Sequence, residues 1–176
     1  VCLAIDERGM AMTAARKVEV ATRLRDLALA GGLSDADLLF DLLTFPLGSG
    51  EESLRGTAVE TLDAVRRIKA LYPRAFTSLG VSNVSYGLPQ AARPYLNSVF
   101  LHHALEHGLD AAIVHAGRIR PLHRIPRGIR RICDDLVFDR SSAGKRPLER
   151  LLAHVSRENT VPARVPVTAA LAPEER

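Results

Sequence analysis

Two short stretches hold the side chains best suited to ligand chemistry. Asp41 closes the apolar run DLLFD (residues 37–41), and GVSNVS (residues 80–85) sets Gly80, Ser82 and Asn83 close together. A carboxylate at a strand end can accept two parallel bonds from a planar heterocycle that carries a ring N–H beside an exocyclic amine. The same carboxylate can equally cap a neighbouring loop or helix, and both roles stay open for Asp41. Asn83 can donate and accept, so its amide can follow a ligand nitrogen through a change of protonation. Gly80 permits close backbone approach, and Ser82 adds a hydroxyl. On spacing alone the stretch is slightly better read as an Asx or Ser turn opening the next loop.

Other polar clusters make weaker cases. His103 and His107 are four apart on one expected helix, with His102 beside them, but no third ligand or suitably spaced glutamate accompanies them. An outer helix of this kind faces away from a ligand rim, so no metal is expected in the chain. His115, at a strand end, is better placed, and its role stays open. Six arginines crowd together at Arg118, Arg120, Arg124, Arg127, Arg130 and Arg131. Without interleaved aromatics for base stacking, and with Asp134 and Asp135 following at once, they read as a solvated helix face or a polyanion contact. Nucleic acid is not an expected partner.

The elements that must carry these residues alternate in period. VCLAI (residues 1–5) reads as a buried strand closed by a polar turn. Residues 13–29 follow with apolar positions Val18, Ala21, Leu24 and Ala28 at helical spacing, ended by Gly31 and Gly32. Strand 37–41 precedes a long loop through Pro46 and GSG, then a helix over 54–71 with Val59, Leu62, Val65 and Ile68 as its inner stripe. Strand 76–83, helix 91–106, strand 110–114 and helix 125–136 complete four strand–helix units. Such alternation implies parallel strands and right-handed crossovers.

Four units make either an open doubly wound sheet or half of an eightfold barrel. Asp6, Asp41, Ser82 with Asn83, and His115 all fall at strand C-termini, which favours the barrel, where the whole rim carries ligand groups. From Ser141 the sequence becomes linker-like, with a short amphipathic helix at PLERLLAHV and a Pro/Ala/Glu-rich end. Domain limits are therefore expected at residues 1–140 and 141–176.

Composition is ordinary, with 47% hydrophobic and 25% charged residues and a net charge of +4. Cys2 and Cys133 form no CxxC pair, no signal peptide is visible, and no apolar run reaches the length of a membrane span. A cytoplasmic protein with no membrane partner is expected. The sequence opens at Val1 inside a strand-like run, so a preceding segment is expected too.

Taken together, LLFDLLTF with GSG, TLDAVRRIKALYP, SLGVSNVSYGLP and LNSVFLHHALEHGLDAAIVHAGRI resemble the pterin-binding domain of cobalamin-dependent methionine synthase, from Val1 to about Arg140. The resemblance implies a partial (β/α)8 TIM barrel comprising its last four strand–helix units. It implies that 5-methyltetrahydrofolate is bound and its N5-methyl group presented to cob(I)alamin, for methylation of homocysteine to methionine. Asp41 would bind the pterin ring, Asn83 would contact N5 as the catalytic residue, Gly80 and Ser82 would line the same edge, and Ile113 would lie beneath the ring.

Cobalamin is expected on another module, because the family's Asp-x-His-x-x-Gly pattern surrounds none of the six histidines. The implied partners are that cobalamin-binding module and a homocysteine-binding barrel of the same parent protein. The family's further Asp and Asn from earlier strands have no counterpart in this sequence. A stand-alone methyltetrahydrofolate–corrinoid methyltransferase and an inactive half-barrel scaffold are the alternative readings. A dihydropteroate synthase fits less well, since it carries an Arg-Lys pair where this chain has Asn83 and Val84.

Overall fold

The computed structural model describes residues 1–141 and 146–160. Four parallel strands form its sheet, in the order β1 (Cys2–Leu3), β4 (Leu39–Asp41), β5 (Phe76–Leu79) and β6 (Ala111–Ala112). Each is followed by a helix: α1 (Ala14–Ala30), α2 (Thr57–Leu71), α3 (Arg93–Glu106) and α4 (Arg127–Val137). Between β1 and α1 lies a small antiparallel hairpin, β2 (Ile5–Asp6) with β3 (Gly9–Met10). This is the arc of a partial (β/α)8 barrel, with strands in sequence order and helices outside.

Register decides which residues face the helices. Cys2 pairs with Phe40, and Phe40 with Thr77. Because side chains alternate along a strand, these three share one face, and Leu3, Asp41, Ser78 and Ala111 share the other. Phe40, Leu42, Thr77, Leu79 and Val81 are fully buried under the helices. Phe40 also packs against Tyr72 with ring centroids 6.5 Å apart. Each such large apolar side chain contributes roughly 1.5–3 kcal/mol. The opposite face is open: Leu3 is 46%, Phe76 47% and Ile113 68% exposed.

The helices follow the expected order with shifted ends. Thr13 caps α1 by accepting from the Arg16 N–H at 3.3 Å. The buried stripe of α1 is Ala14, Lys17, Val20 and Ala21, while Val18, Leu24 and Ala28 are only partly buried. In α2, Leu62, Val65 and Ile68 face the core as expected, but Val59 points out and Ala58, Thr61 and Ala64 take its place. Helix α5 (Pro147–Thr160) is longer than the amphipathic segment expected there, and it buries Leu151 and Val155 in the same core. The end of the sequence, read as Pro/Ala/Glu-rich, lies outside the described residues.

Two strand expectations need correction. The run VCLAI is not one strand, because the chain leaves the sheet after Leu3 to form the hairpin. Asp6 is therefore a hairpin residue and not a rim group at the end of a sheet strand: it pairs with Arg16, lies 3.7 Å from Arg23, and accepts from the Arg8 N–H at 3.0 Å. Strand β5 ends at Leu79, and Val81–Ser85 winds into a 3-10 turn. The turn reading of GVSNVS holds for its backbone.

Of the three neighbouring histidines, His103 ties α3 to α4, while His102 and His107 meet partners on α3 itself. His103 is 2.8 Å from Asp134 on α4 and packs edge-on against Phe138. His107 Nδ1 meets the His103 carbonyl at 2.7 Å. Among the described residues no helix is long and apolar enough to cross a membrane.

Candidate functional site

The C-terminal end of the sheet carries an open depression of about 330 Å³, lined by Met10, Asp41, Thr44, Phe45, Asn83 and Tyr86 among others. Gly80 and Leu43 complete the wall near its centre. Three of the five candidate residues, Asp41, Gly80 and Asn83, thus meet on one surface. The other two do not line it. Ser82 contributes its carbonyl to internal bonds of the 3-10 turn, accepting from Ser85 Oγ at 3.2 Å and from Arg93 at 3.4 Å. Ile113 stands on the open sheet face beyond β6. His115 is exposed at the start of the following 3-10 turn, also outside the depression.

Asp41 is held by its own loop. Its Oδ1 accepts the Leu43 N–H at 2.9 Å, which fixes one carboxylate oxygen and leaves the other without a donor among the described residues. Leu43 itself has φ +61°, the left-handed region that a branched apolar residue enters only at a cost. The capping and binding roles expected for Asp41 from sequence are therefore compatible: one oxygen caps, and the residue also lines the depression.

Asn83 is placed by the 3-10 turn that its N–H closes on the Gly80 carbonyl at 3.0 Å. Its side-chain amide folds back over Gly80, where an added Cβ would stand only 2.8 Å from Asn83 Nδ2. Glycine is required there for close approach, not for an unusual φ. Arg93 and the buried Ser85 brace the turn from behind, with Arg93 Nε donating to Ser85 Oγ at 3.1 Å.

The loops carrying the two polar groups are also locked together. A Cβ at Gly48 would lie 2.6 Å from the Tyr86 carbonyl and from Leu88 Cγ. Asp41 and Asn83 thus line one depression between two loops in close contact, which favours fixed donor–acceptor geometry toward one ligand.

A Gly80→Ala change tests this placement. The clash falls on the movable end of one side chain, so the fold and its unfolding midpoint should be retained. The displaced amide should lower turnover about tenfold, since misplacement on the ångström scale is costly in catalysis. Thermal unfolding together with steady-state rates would show this, and unchanged turnover would mean that Asn83 is not used in the pose described.

One residue central to the site was not a candidate from sequence. Lys17, on α1, is wholly buried, and its Nζ donates to the carbonyls of Leu42 at 2.5 Å and Leu43 at 3.2 Å. It lies 4.8 Å from the centre of the Phe45 ring. Burial pushes its ammonium down to about 7, with Asp41 and Glu60 pulling the other way. Its signal in the sequence was a lysine on the inner stripe of an amphipathic helix, where an aliphatic residue is the norm. The described residues hold no cluster of three His, Cys, Asp or Glu side chains able to bind a metal ion.

Comparison with known proteins agrees with this geometry. The profile of a family described as pterin binding enzyme matches residues 1–115. Over 153 residues the chain is 48% identical to a methionine synthase of Mycobacterium leprae and 47% identical to one of Mycobacterium tuberculosis. Each alignment covers 86% of this chain but only 13% of the relative, so the chain spans a small part of the curated proteins it matches. With the match running from β1 through β6 and the depression at the strand ends, the chain belongs to the pterin binding enzyme family.

Proposed function

We propose that the depression between Asp41 and Asn83 holds the pterin ring of 5-methyltetrahydrofolate and presents its N5-methyl group to cob(I)alamin, within an enzyme that methylates homocysteine to methionine. The observation that carries this reading is that Asp41, with one carboxylate oxygen engaged by its own loop, and the Asn83 amide line one open pocket. The similarity to two methionine synthases supports it over a stand-alone methyltransferase, because those relatives are far longer than this chain.

The chemistry asks two things of the chain. The pterin's ring N–H and exocyclic amine must be oriented, and a free carboxylate oxygen beside a fixed one can take paired donors. The methyl group must then leave with its bonding electron pair remaining on N5, a poor leaving group unless it is protonated or strongly hydrogen-bonded. Asn83 can serve N5 in either state, accepting through its carbonyl oxygen when N5 bears a proton. An interaction that strengthens as charge develops lowers the barrier, not only the dissociation constant.

The methyl acceptor is a second substrate in this reading and is carried elsewhere. In this reading cobalamin belongs to another module of the larger protein, consistent with relatives far longer than this chain, with a homocysteine-binding barrel as a further partner. The uncovered sheet face of Leu3, Phe76 and Ile113 supports further strands closing the barrel from the same protein. Residues 1–140 would then be its later half and 141–176 the passage to the next module, with α5 docked on the barrel at the boundary.

The test is titration of 5-methyltetrahydrofolate into the complete protein, followed by calorimetry. One saturable site is expected, and no binding at millimolar ligand would rule the reading out.

A further inference from the structure

The observations that reach furthest beyond the pterin site concern Lys17. A buried ammonium is costly unless bonded, and an aliphatic residue of similar length would suit this helix face better. Lys17 nevertheless makes no ion pair among the described residues. Its donors go instead to two consecutive main-chain carbonyls, Leu42 at 2.5 Å and Leu43 at 3.2 Å. The Leu43 carbonyl is gripped a second time by Thr61 Oγ1 at 3.1 Å from α2. The gripped peptide units flank the residue with φ +61°, whose N–H holds Asp41 Oδ1. The Leu42 carbonyl and the Leu43 N–H belong to one planar peptide unit, so holding the carbonyl also holds the direction of the N–H that meets the carboxylate.

We propose that Lys17 is a positioning residue for the ligand carboxylate: by clamping the Leu42 and Leu43 carbonyls it holds the strained turn that aims Asp41 into the depression. Phe45, against which the ammonium rests, lines the same depression, so the clamp also sets the apolar wall beside the carboxylate. Glu60 on α2 anchors the neighbouring end of α1, accepting the Ala14 N–H at 2.6 Å, and so fixes the helix from which Lys17 reaches. A neutral amine would still offer two N–H donors for two carbonyls, so the clamp does not depend on charge.

The inference rests on the pterin reading, and a double-mutant cycle in the complete protein separates the two. Lys17→Met is expected to raise the dissociation constant for 5-methyltetrahydrofolate about tenfold in the presence of Asp41, and less than about twofold in an Asp41→Ala background. The rate of methyl transfer at saturating ligand should change less than about threefold, because Asn83 is braced by other elements. Lys17→Gln, whose amide keeps two donors, should recover part of the lost affinity, and it carries the same cycle if the Met variant fails to fold.

Equal losses in both backgrounds, or full affinity in a folded Lys17→Met protein, would overturn the positioning role while leaving the pterin site intact. Failure of the unmodified protein to bind the ligand would overturn the pterin reading itself.

Discussion

Replacing Asn83 by alanine in the complete protein is expected to slow methyl transfer by about a hundredfold or more while changing the dissociation constant for 5-methyltetrahydrofolate by less than about threefold, the pattern of a group that acts mainly in the transition state. The reasoning is geometric first. Asn83 is exposed, its side chain lies over the glycine that follows β5, and its amide has no protein partner among the described residues. An unengaged amide on an open wall adds little to ground-state binding, because it trades one solvent bond for one ligand bond. It adds much once N5 gains a proton and the methyl group departs. Single-turnover measurement of methyl transfer, paired with titration, resolves the two effects. A variant that lost affinity and kept its rate would make Asn83 a binding residue only.

The stability of the Asn83→Ala protein should be close to that of the parent. The 3-10 turn is closed by main-chain bonds from Asn83 N–H to the Gly80 carbonyl and from Tyr86 N–H to the Asn83 carbonyl, each 3.0 Å long. Alanine keeps both. A loss of turnover could not then be ascribed to a collapsed loop, in contrast with changes at Ser85, which is buried and receives Arg93.

The alternation of strand and helix was legible in the sequence because each buried stripe consists of aliphatic residues at regular spacing, as with Leu62, Val65 and Ile68 on α2. The ends of elements were not. VCLAI looks like five strand residues, yet only Cys2 and Leu3 pair with β4, since the hairpin takes Ile5 and Asp6 for its own hydrogen bonds. Apolar character does not name a strand's partner: Ile5 pairs with Met10 in the hairpin, and neither is buried. In the same way FTSLGVSN reads as one extended run, although Gly80 begins a turn whose short-range bonds replace the ladder.

Of the lining of the depression, the sequence pointed to residues whose chemistry and strand-end position coincide, Asp41 and Asn83. Thr44, Phe45 and Tyr86 were not singled out, because nothing in their types marks a loop residue as lining a pocket formed by a second loop. Lys17 was hidden for the opposite reason. A charged residue in a helix is taken as solvent-facing by default, and its place on the inner stripe acquires meaning through the carbonyls it meets, 25 and 26 positions away. Ser82 and Ile113 show the converse limit: they lie near the site in sequence and sheet order, yet their side chains do not join the lining.

For Asp41 two substitutions give different expected results, and their difference isolates what the carboxylate does. Asp41→Asn keeps an oxygen to accept the Leu43 N–H, so the turn at φ +61° should survive and the unfolding midpoint should stay near that of the parent. It removes the charge from the outward oxygen, where a bond to an ionised acceptor is worth about 1.5–3 kcal/mol, and affinity for 5-methyltetrahydrofolate should fall roughly tenfold to a hundredfold. Asp41→Ala removes both oxygens. It should weaken binding at least as much and also destabilise the protein by about 1 kcal/mol, the usual worth of a lost side-chain cap. Chemical denaturation and calorimetric titration of both variants would distinguish the roles. Full affinity in the Asn variant with loss of stability in the Ala variant would assign Asp41 to the turn alone. Loss of affinity in both, with loss of stability only in Ala, would establish that one carboxylate both shapes the loop and grips the ligand, and that the strain at Leu43 is retained because the free oxygen can then face the pocket.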